Sequence, residues 1–222
     1  MPDQVMVTGV DEQRTAHHGL LSQPIGSLHL EGMPVVVADL HSSLPAVLAG
    51  LRSPDGQEQP RVAYIMTDGG ALPLAYSRVV AALSHAGWLT GTIPAGQAWG
   101  GDIEAVSIHN ALLAARHVLH ADTAIVIQGP GNLGTETPWG FSGVACGDAV
   151  NAIATLGGRP VACLRVSQAD ARPRHLGISH HPMTAYGRVA LAGADVVVPI
   201  LEGALGAQVR REAEVLCEPR PG

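Results

Sequence analysis

Histidine and aspartate are the residues whose types and positions could do chemistry here. His41, Asp68, Asp102, His180 and His181 each follow a β-branched run or open the next helical stretch. An imidazole passes protons in either direction near neutral pH. A carboxylate beside it can orient the ring, or join it in mixed nitrogen and oxygen coordination of a metal. His41 or His180 is therefore the expected acid or base, and Asp68 or Asp102 the expected orienting group or metal ligand. No H-E-x-x-H or similar local signature joins these residues, so metal and cofactor stay unknown. Each has a structural alternative: Asp102 can simply cap its helix, and adjacent side chains such as His180 and His181 diverge at a helix start, which lets one of them face a given site. His109 and His117 fall within a helical pattern and read as exposed or packing residues.

Nucleophiles are less well supported. Ser142 in "GFSGV" misses G-x-S-x-G because the glycine falls one position early. Ser42 stands beside His41 at a strand-to-helix turn, but no base with its own orienting partner can be assigned to it. Cys146 precedes a helix start whose dipole would lower a thiol pKa, an effect that Asp148 opposes. Residues 165–188 hold Arg165, Arg172, Arg174 and Arg188 against Asp170, opposite in sign to the chain's formal charge of −6. Guanidinium forks match carboxylates and phosphates, so Arg172 and its neighbours point to an anionic small molecule. Pairing with Glu136 or Asp102 is the competing explanation.

Gly129-Pro130-Gly131-Asn132-Leu133-Gly134 forms a G-x-G-x-x-G string after an apolar run. A dinucleotide fingerprint needs its third glycine inside an opening helix and an acid about 20 residues further on. Pro138 and Gly140 prevent that helix, and the next strand ends at Ser167 without an acid. The 129–147 loop is instead long enough to be functional. It is either an anion-binding nest, with Asn132, Thr135, Thr137 and Ser142 as polar groups, or a packed loop held by Trp139 and Phe141.

The elements that must position these groups alternate. "PVVVADL", "RVAYIMTD", "LTGTIPAG", "TAIVIQG", "PVACLRVS" and "DVVVPIL" read as strands. Leu44–Leu51, Leu72–His85, Ile103–Leu119, Asp148–Leu156 and Met183–Ala192 read as helices. Asp102 and Thr184 lie near their N-terminal caps, and Gly87, Gly157 and Gly193 near their stops. The fold class is α/β, three-layer and Rossmann-like: a mostly parallel sheet of about six strands with helices on both faces. Residues 1–30 form an N-terminal arm, 31–202 the α/β domain, and 203–222 a C-terminal helix and tail. Ligands bind such sheets beyond the carboxyl ends of the strands. His41, Asp68, Asp102 and at least one of His180 and His181 are thus expected in one cleft, roofed by the 129–147 loop. Ser42, Gly69, Gly70, Gly100, Gly101, Gly129, Gly131, Asn132, Thr135, Arg172 and His181 would contact the ligand.

Composition excludes several classes. All thirteen basic residues are arginine. Without lysine there is no Schiff base and no Walker A loop. The acidic balance argues against nucleic acid, and no apolar run is long enough to span a membrane. Three scattered cysteines and no secretory signal point to the cytoplasm. The apolar content and low charge fraction point to a homo-oligomer.

"MTDGGALPLAYSRVVAAL", "GQAWGGDIEAVSIHNALLAARHVL", "QGPGNLGTETPWGFSGV" and "SHHPMTAYGRVALA" resemble the bacterial family of unknown function numbered 3866, over residues 31–202. The resemblance implies membership without an activity, and a missing β-rich N-terminal segment. The chain is accordingly expected to be either an enzyme acting on a small anionic substrate or a non-catalytic small-molecule or nucleotide-binding module of a larger assembly.

Overall fold

The computed structural model describes residues 16–53, 58–70 and 72–217. Its sheet is built from the runs least able to face water. Strands β1 (Pro34–Ala38), β2 (Val62–Thr67), β3 (Gly91–Pro94), β4 (Thr123–Gln128), β5 (Arg159–Cys163) and β8 (Asp195–Val197) lie in the order β3-β2-β4-β1-β5-β8. Every neighbouring pair is parallel. All six residues of β4 are buried, as an inner strand covered on both faces requires.

Alternate residues serve opposite layers. Val36, Ala38, Tyr64 and Ile125 pack with Leu44 and Leu48 of α2 (Leu44–Leu51) and Val80 of α3 (Arg78–His85). Val35, Val37, Ala63 and Val126 meet α4 (Ile108–His117) and α5 (Ala145–Thr155), whose alanines bring the helices close to the sheet. Fully burying one side chain such as Leu112 or Ile125 contributes about 1.5–3 kcal/mol, so these two layers hold the strand ends in register. A short helix, α1 (His18–Leu21), lies within the stretch read as an N-terminal arm. Residues 1–15 and 218–222 fall outside the described residues.

Several boundaries differ from the sequence expectation. "PVACLRVS" is not one strand. After β5 the chain leaves the sheet, and β6 (Val166–Ser167) pairs antiparallel with β7 (Gly177–Ile178) as a separate ribbon. Leu72–His85 is helical from Arg78, because Ser77 Oγ accepts the Val80 N–H as the cap; Leu74–Tyr76 is a single 3-10 turn. The helix expected from Ile103 starts at Ile108, capped by Ser107, so Asp102 is not its cap. Asp102 instead accepts both the N–H and the hydroxyl of Thr92 on β3. The helix expected at Asp148 begins at Ala145.

Met183–Ala192 is replaced by α6 (His180–Thr184), capped by Ser179 and continuing into a π turn at Ala185–Val189; Thr184 is interior. Gly87 and Gly157 end their helices with positive φ, whereas Gly193 does not. The C-terminal helix α7 (Gly203–Cys217) packs Val209 and Ala213 on Ile178, and its Glu212 accepts the Ile178 N–H at 2.7 Å, clamping the ribbon.

Candidate functional site

The carboxyl ends of β4, β1 and β5 are adjacent, and the chains leaving β1 and β4 run to opposite faces through α2 and α5. That divergence opens a crevice at the strand ends. Asp39, the first residue after β1, lies at its floor and is buried. One carboxylate oxygen, Oδ2, accepts a hydrogen bond from His181 Nδ1 at 2.7 Å. The other, Oδ1, has no hydrogen-bond partner among the described residues. Gly143 packs against it so closely that a Cβ there would lie 1.9 Å from Oδ1. Phe141 is stacked on the His181 ring of the pair at 4.0 Å between centroids.

The ribbon delivers the rest. Between β6 and β7, Asp170 accepts the backbone N–H and the guanidinium of Arg172 and pairs with Arg165 at 3.4 Å. These bonds to Arg172 hold the Asp170 carboxyl well below the ordinary range. The tightened loop carries His175 into the interior. There its Nδ1 lies 2.7 Å from Ser179 Oγ, the same oxygen that caps α6. Burial, then the charges of Arg165 and Arg172, lower the His175 pKa to about 4. His180 is lowered as well, by burial and then by His181, Arg174 and Arg165. Both rings are therefore neutral at pH 7.

His175, His180 and His181 converge, with one nitrogen from each lying within 4.8 Å of the others. The expectation that His180 and His181 diverge is corrected by this geometry: their ring centroids are 4.5 Å apart. Both belong to the first turn after an extended cap residue, where helix side chains lean back toward the N-terminus. A pocket of about 320 Å³ opens above the three rings, lined also by Arg165, Arg172, Arg174, Asn132, Glu136 and Thr137. Arg174 and Glu136 pair at 3.4 Å across its two lips.

A family model described as Protein of unknown function (DUF3866) matches residues 1–218. The chain belongs to this family. The match is wider than the 31–202 stretch that carried the resemblance, and it takes in the first thirty residues of this DUF3866 chain. No curated protein and no solved structure matches it. Among the described residues no helix is long and apolar enough to cross a membrane.

The DUF3866 structure divides the expected site residues into groups. His180, His181, Asn132 and Arg172 line the 320 Å³ pocket. His41, Ser42, Gly129, Gly131 and Asn132 line a neighbouring recess of about 270 Å³, which shares Leu40 and Asn132 with the first. Asp68, Gly69, Gly70, Gly100, Gly101 and Asp102 line neither of these two recesses.

Strand order sets their positions along the edge. β4 separates β2 from β1, and β3 is the far edge. Asp68 accepts the Gln97 N–H at 3.1 Å in its own turn. Gly69 and Gly70 press on Gln128 and Pro130, where a Cβ would clash. Gly101 likewise presses on Pro94, and Gly100 lies against Ala75.

Thr135 bonds within the loop, to Thr137 and to the Gly140 carbonyl. Phe141 anchors the loop, whereas Trp139 is exposed. The G-x-G-x-x-G string opens no helix, since the next one starts at Ala145. Cys146 is buried with its thiol pKa pushed up, opposite to an activated nucleophile.

Asp39, His175 and Gly143 were not singled out in the sequence. Asp39 carried a usable signal, as the first polar residue beyond an apolar strand on the ligand-binding edge. His175 carried none, because a two-residue ribbon leaves no periodicity.

His41 joins a chain of bonds in which Nδ1 meets the Tyr64 hydroxyl at 3.1 Å and Nε2 meets Ser77 Oγ at 2.7 Å. Tyr64 donates to the Ile127 carbonyl and Ser77 accepts from Val80, so a neutral ring satisfies every member. Burial lowers its pKa. A lowered folded-state pKa means that the unfolded chain takes up the proton first, so this stability is complete above the ordinary imidazole value of about 6.5 and is lost as pH falls from there through the folded value. Thermal melts should therefore show a smaller fall between about pH 7 and pH 5 in His41→Gln than in the wild type. Parallel curves would refute the assignment.

Proposed function

We propose that this protein is an enzyme acting on a small anionic substrate at the carboxyl edge of its sheet, in the pocket between the 132–141 loop and the 165–181 segment. The observation that carries the reading is the buried Asp39–His181 pair at the floor of a polar pocket rimmed by Arg165, Arg172 and Arg174. With Nδ1–H given to the carboxylate, His181 keeps the Nε2 lone pair for the pocket side, the arrangement that makes an imidazole an electron-pair donor. The arginines supply planar donors for a phosphate or carboxylate. The adjoining recess beside His41, Ser42 and Gly129–Gly131 would take an uncharged part of the same molecule.

A covalent nucleophile is not part of this proposal. Ser142 Oγ donates to Asn132 Oδ1 and accepts the Leu133 N–H, and Thr137 serves the loop turn. That same commitment of hydroxyls favours the second reading, a binding module without turnover.

The test is a panel of phosphorylated and carboxylated metabolites in thermal melts, followed by product analysis. A ligand at about 100 times its Kd stabilises by about 2.7 kcal/mol, roughly 5–10 °C in a chain of this size. The shift should disappear in Arg172→Met and Arg174→Met. Absence of any anion-induced shift would sink both readings; a bound ligand recovered unchanged would leave the binding module.

A further inference from the structure

We infer that His175, His180 and His181 form a three-imidazole centre for a divalent d-block cation such as zinc, with a coordination position left open toward the pocket. Among the described residues no other three histidine, cysteine, aspartate or glutamate side chains converge in this way. Imidazole nitrogens suit zinc and its neighbours rather than magnesium or calcium, which take oxygen. Zinc–nitrogen bonds of about 2.0–2.1 Å put tetrahedral ligands about 3.3 Å apart, so nitrogens within 4.8 Å of one another need to close by at most about 1.5 Å around the ion.

The surroundings supply independent support. Imidazole ligands of metals typically give their second nitrogen to a carboxylate or another polar group, which fixes the ring and its tautomer. Here His181 Nδ1 is held by Asp39 at 2.7 Å, and His175 Nδ1 by Ser179 at 2.7 Å. Both arrangements leave Nε2 for a second partner. Phe141 stacks face to face on His181 and meets His180 edge-on, which limits the rotation of both rings.

The nearby arginines do not oppose the charge of a cation outright. Arg165 and Arg172 share Asp170, Arg174 pairs with Glu136, and Asp39 lies beneath His181, so three guanidinium groups face three carboxylates. A dication would then give the pocket a net positive charge. Three protein ligands and an open position are the arrangement in which zinc binds water or a substrate oxygen. The inference takes from the proposed function only the identity of the pocket, and metal uptake is read with no substrate present.

The experiment is metal-stripped full-length protein titrated with Zn²⁺ and Co²⁺. Elemental analysis gives the stoichiometry, and the visible absorption of Co²⁺ gives the geometry. One equivalent with a low-symmetry Co²⁺ spectrum is expected. Asp39→Asn should weaken binding about 10–100-fold, and His175→Gln, His180→Gln and His181→Gln by at least as much. His85→Ala and His109→Ala, at exposed positions, should leave binding unchanged. Circular dichroism keeps misfolding distinct from ligand loss, and His180, half-buried at the pocket wall, is the substitution the fold tolerates best. Failure of the wild type to take up metal, or uptake undiminished in folded His180→Gln, overturns the inference. A phosphate-induced melting shift that depends on Arg172 and persists in metal-free protein would leave the proposed function standing in that event.

Discussion

On the proposed enzymatic reading, Asp39→Asn is expected to abolish most turnover while sparing most of the fold. The carboxylate does two things for His181. It accepts the hydrogen bond from Nδ1–H, which puts the lone pair on Nε2, and its charge raises the electron-donating power of the ring. An amide of the same shape cannot do both. With its oxygen toward the ring it keeps the tautomer but not the charge. With its nitrogen toward the ring it forces Nδ1 to accept and moves the proton to Nε2, on the pocket side. The equivalent exchange in a Ser-His-Asp triad costs about 10⁴ in turnover, so a fall of about 10²–10⁴ is expected on whichever anion of the metabolite panel the wild type converts.

Asp39→Ala is harsher. It leaves the buried Nδ1–H without a partner, at about 1–3 kcal/mol of stability. The pair of variants separates the two effects: turnover should collapse in both, and the melting temperature mainly in the alanine. Turnover retained in Asp39→Asn would remove the pair from the mechanism.

Gly143→Ala is expected to damage the same pair through its backbone neighbour. Its added Cβ would stand 1.9 Å from Asp39 Oδ1 and 2.8 Å from Cγ. The carboxyl group cannot swing aside, because Oδ2 is bonded to His181 and Phe141 closes over that ring. Either Asp39 releases His181 or the 142–144 turn moves outward and takes Phe141 with it. Overpacking of this kind costs about 1–3 kcal/mol.

The matched control is Gly50→Ala in α2. A Cβ at that position meets nothing within 4 Å, and helix propensity favours alanine by about 0.5–1 kcal/mol. Denaturant melts should therefore move in opposite directions for the two substitutions. Gly143→Ala should also lose the anion-induced shift, which Gly50→Ala keeps. A Gly143→Ala protein as stable and as responsive as the wild type would show that Asp39 is free to relocate.

Local patterns made the fold class legible. Strands buried on both faces must be unbroken apolar runs, and "PVVVA" and "TAIVIQ" can satisfy that only inside a parallel sheet covered by helices. Parallel strands also put all their carboxyl ends on one edge, and the positional rule that marked His41, Asp68 and His180 points to the edge where Asp39 meets His181. Even the failure of the glycine string to open a helix was readable, from Pro138 and Gly140.

Only the tertiary structure decided which groups on that edge meet. Strand order depends on how each crossover packs across the sheet, and no window of sequence contains that information. β4 lies between β1 and β2, so Asp68 and Asp39 leave strands that are not neighbours, and Asp39 was placed under His181, 142 residues further along the chain. Asp102 turned back to Thr92 because a serine five residues later made the better helix cap. His175 reached the cluster through a ribbon of two paired residues per strand, held by Asp170 on one side and by α7 on the other. Each of these outcomes rests on contacts between segments distant in sequence, whose free energy exists only once the layers have closed.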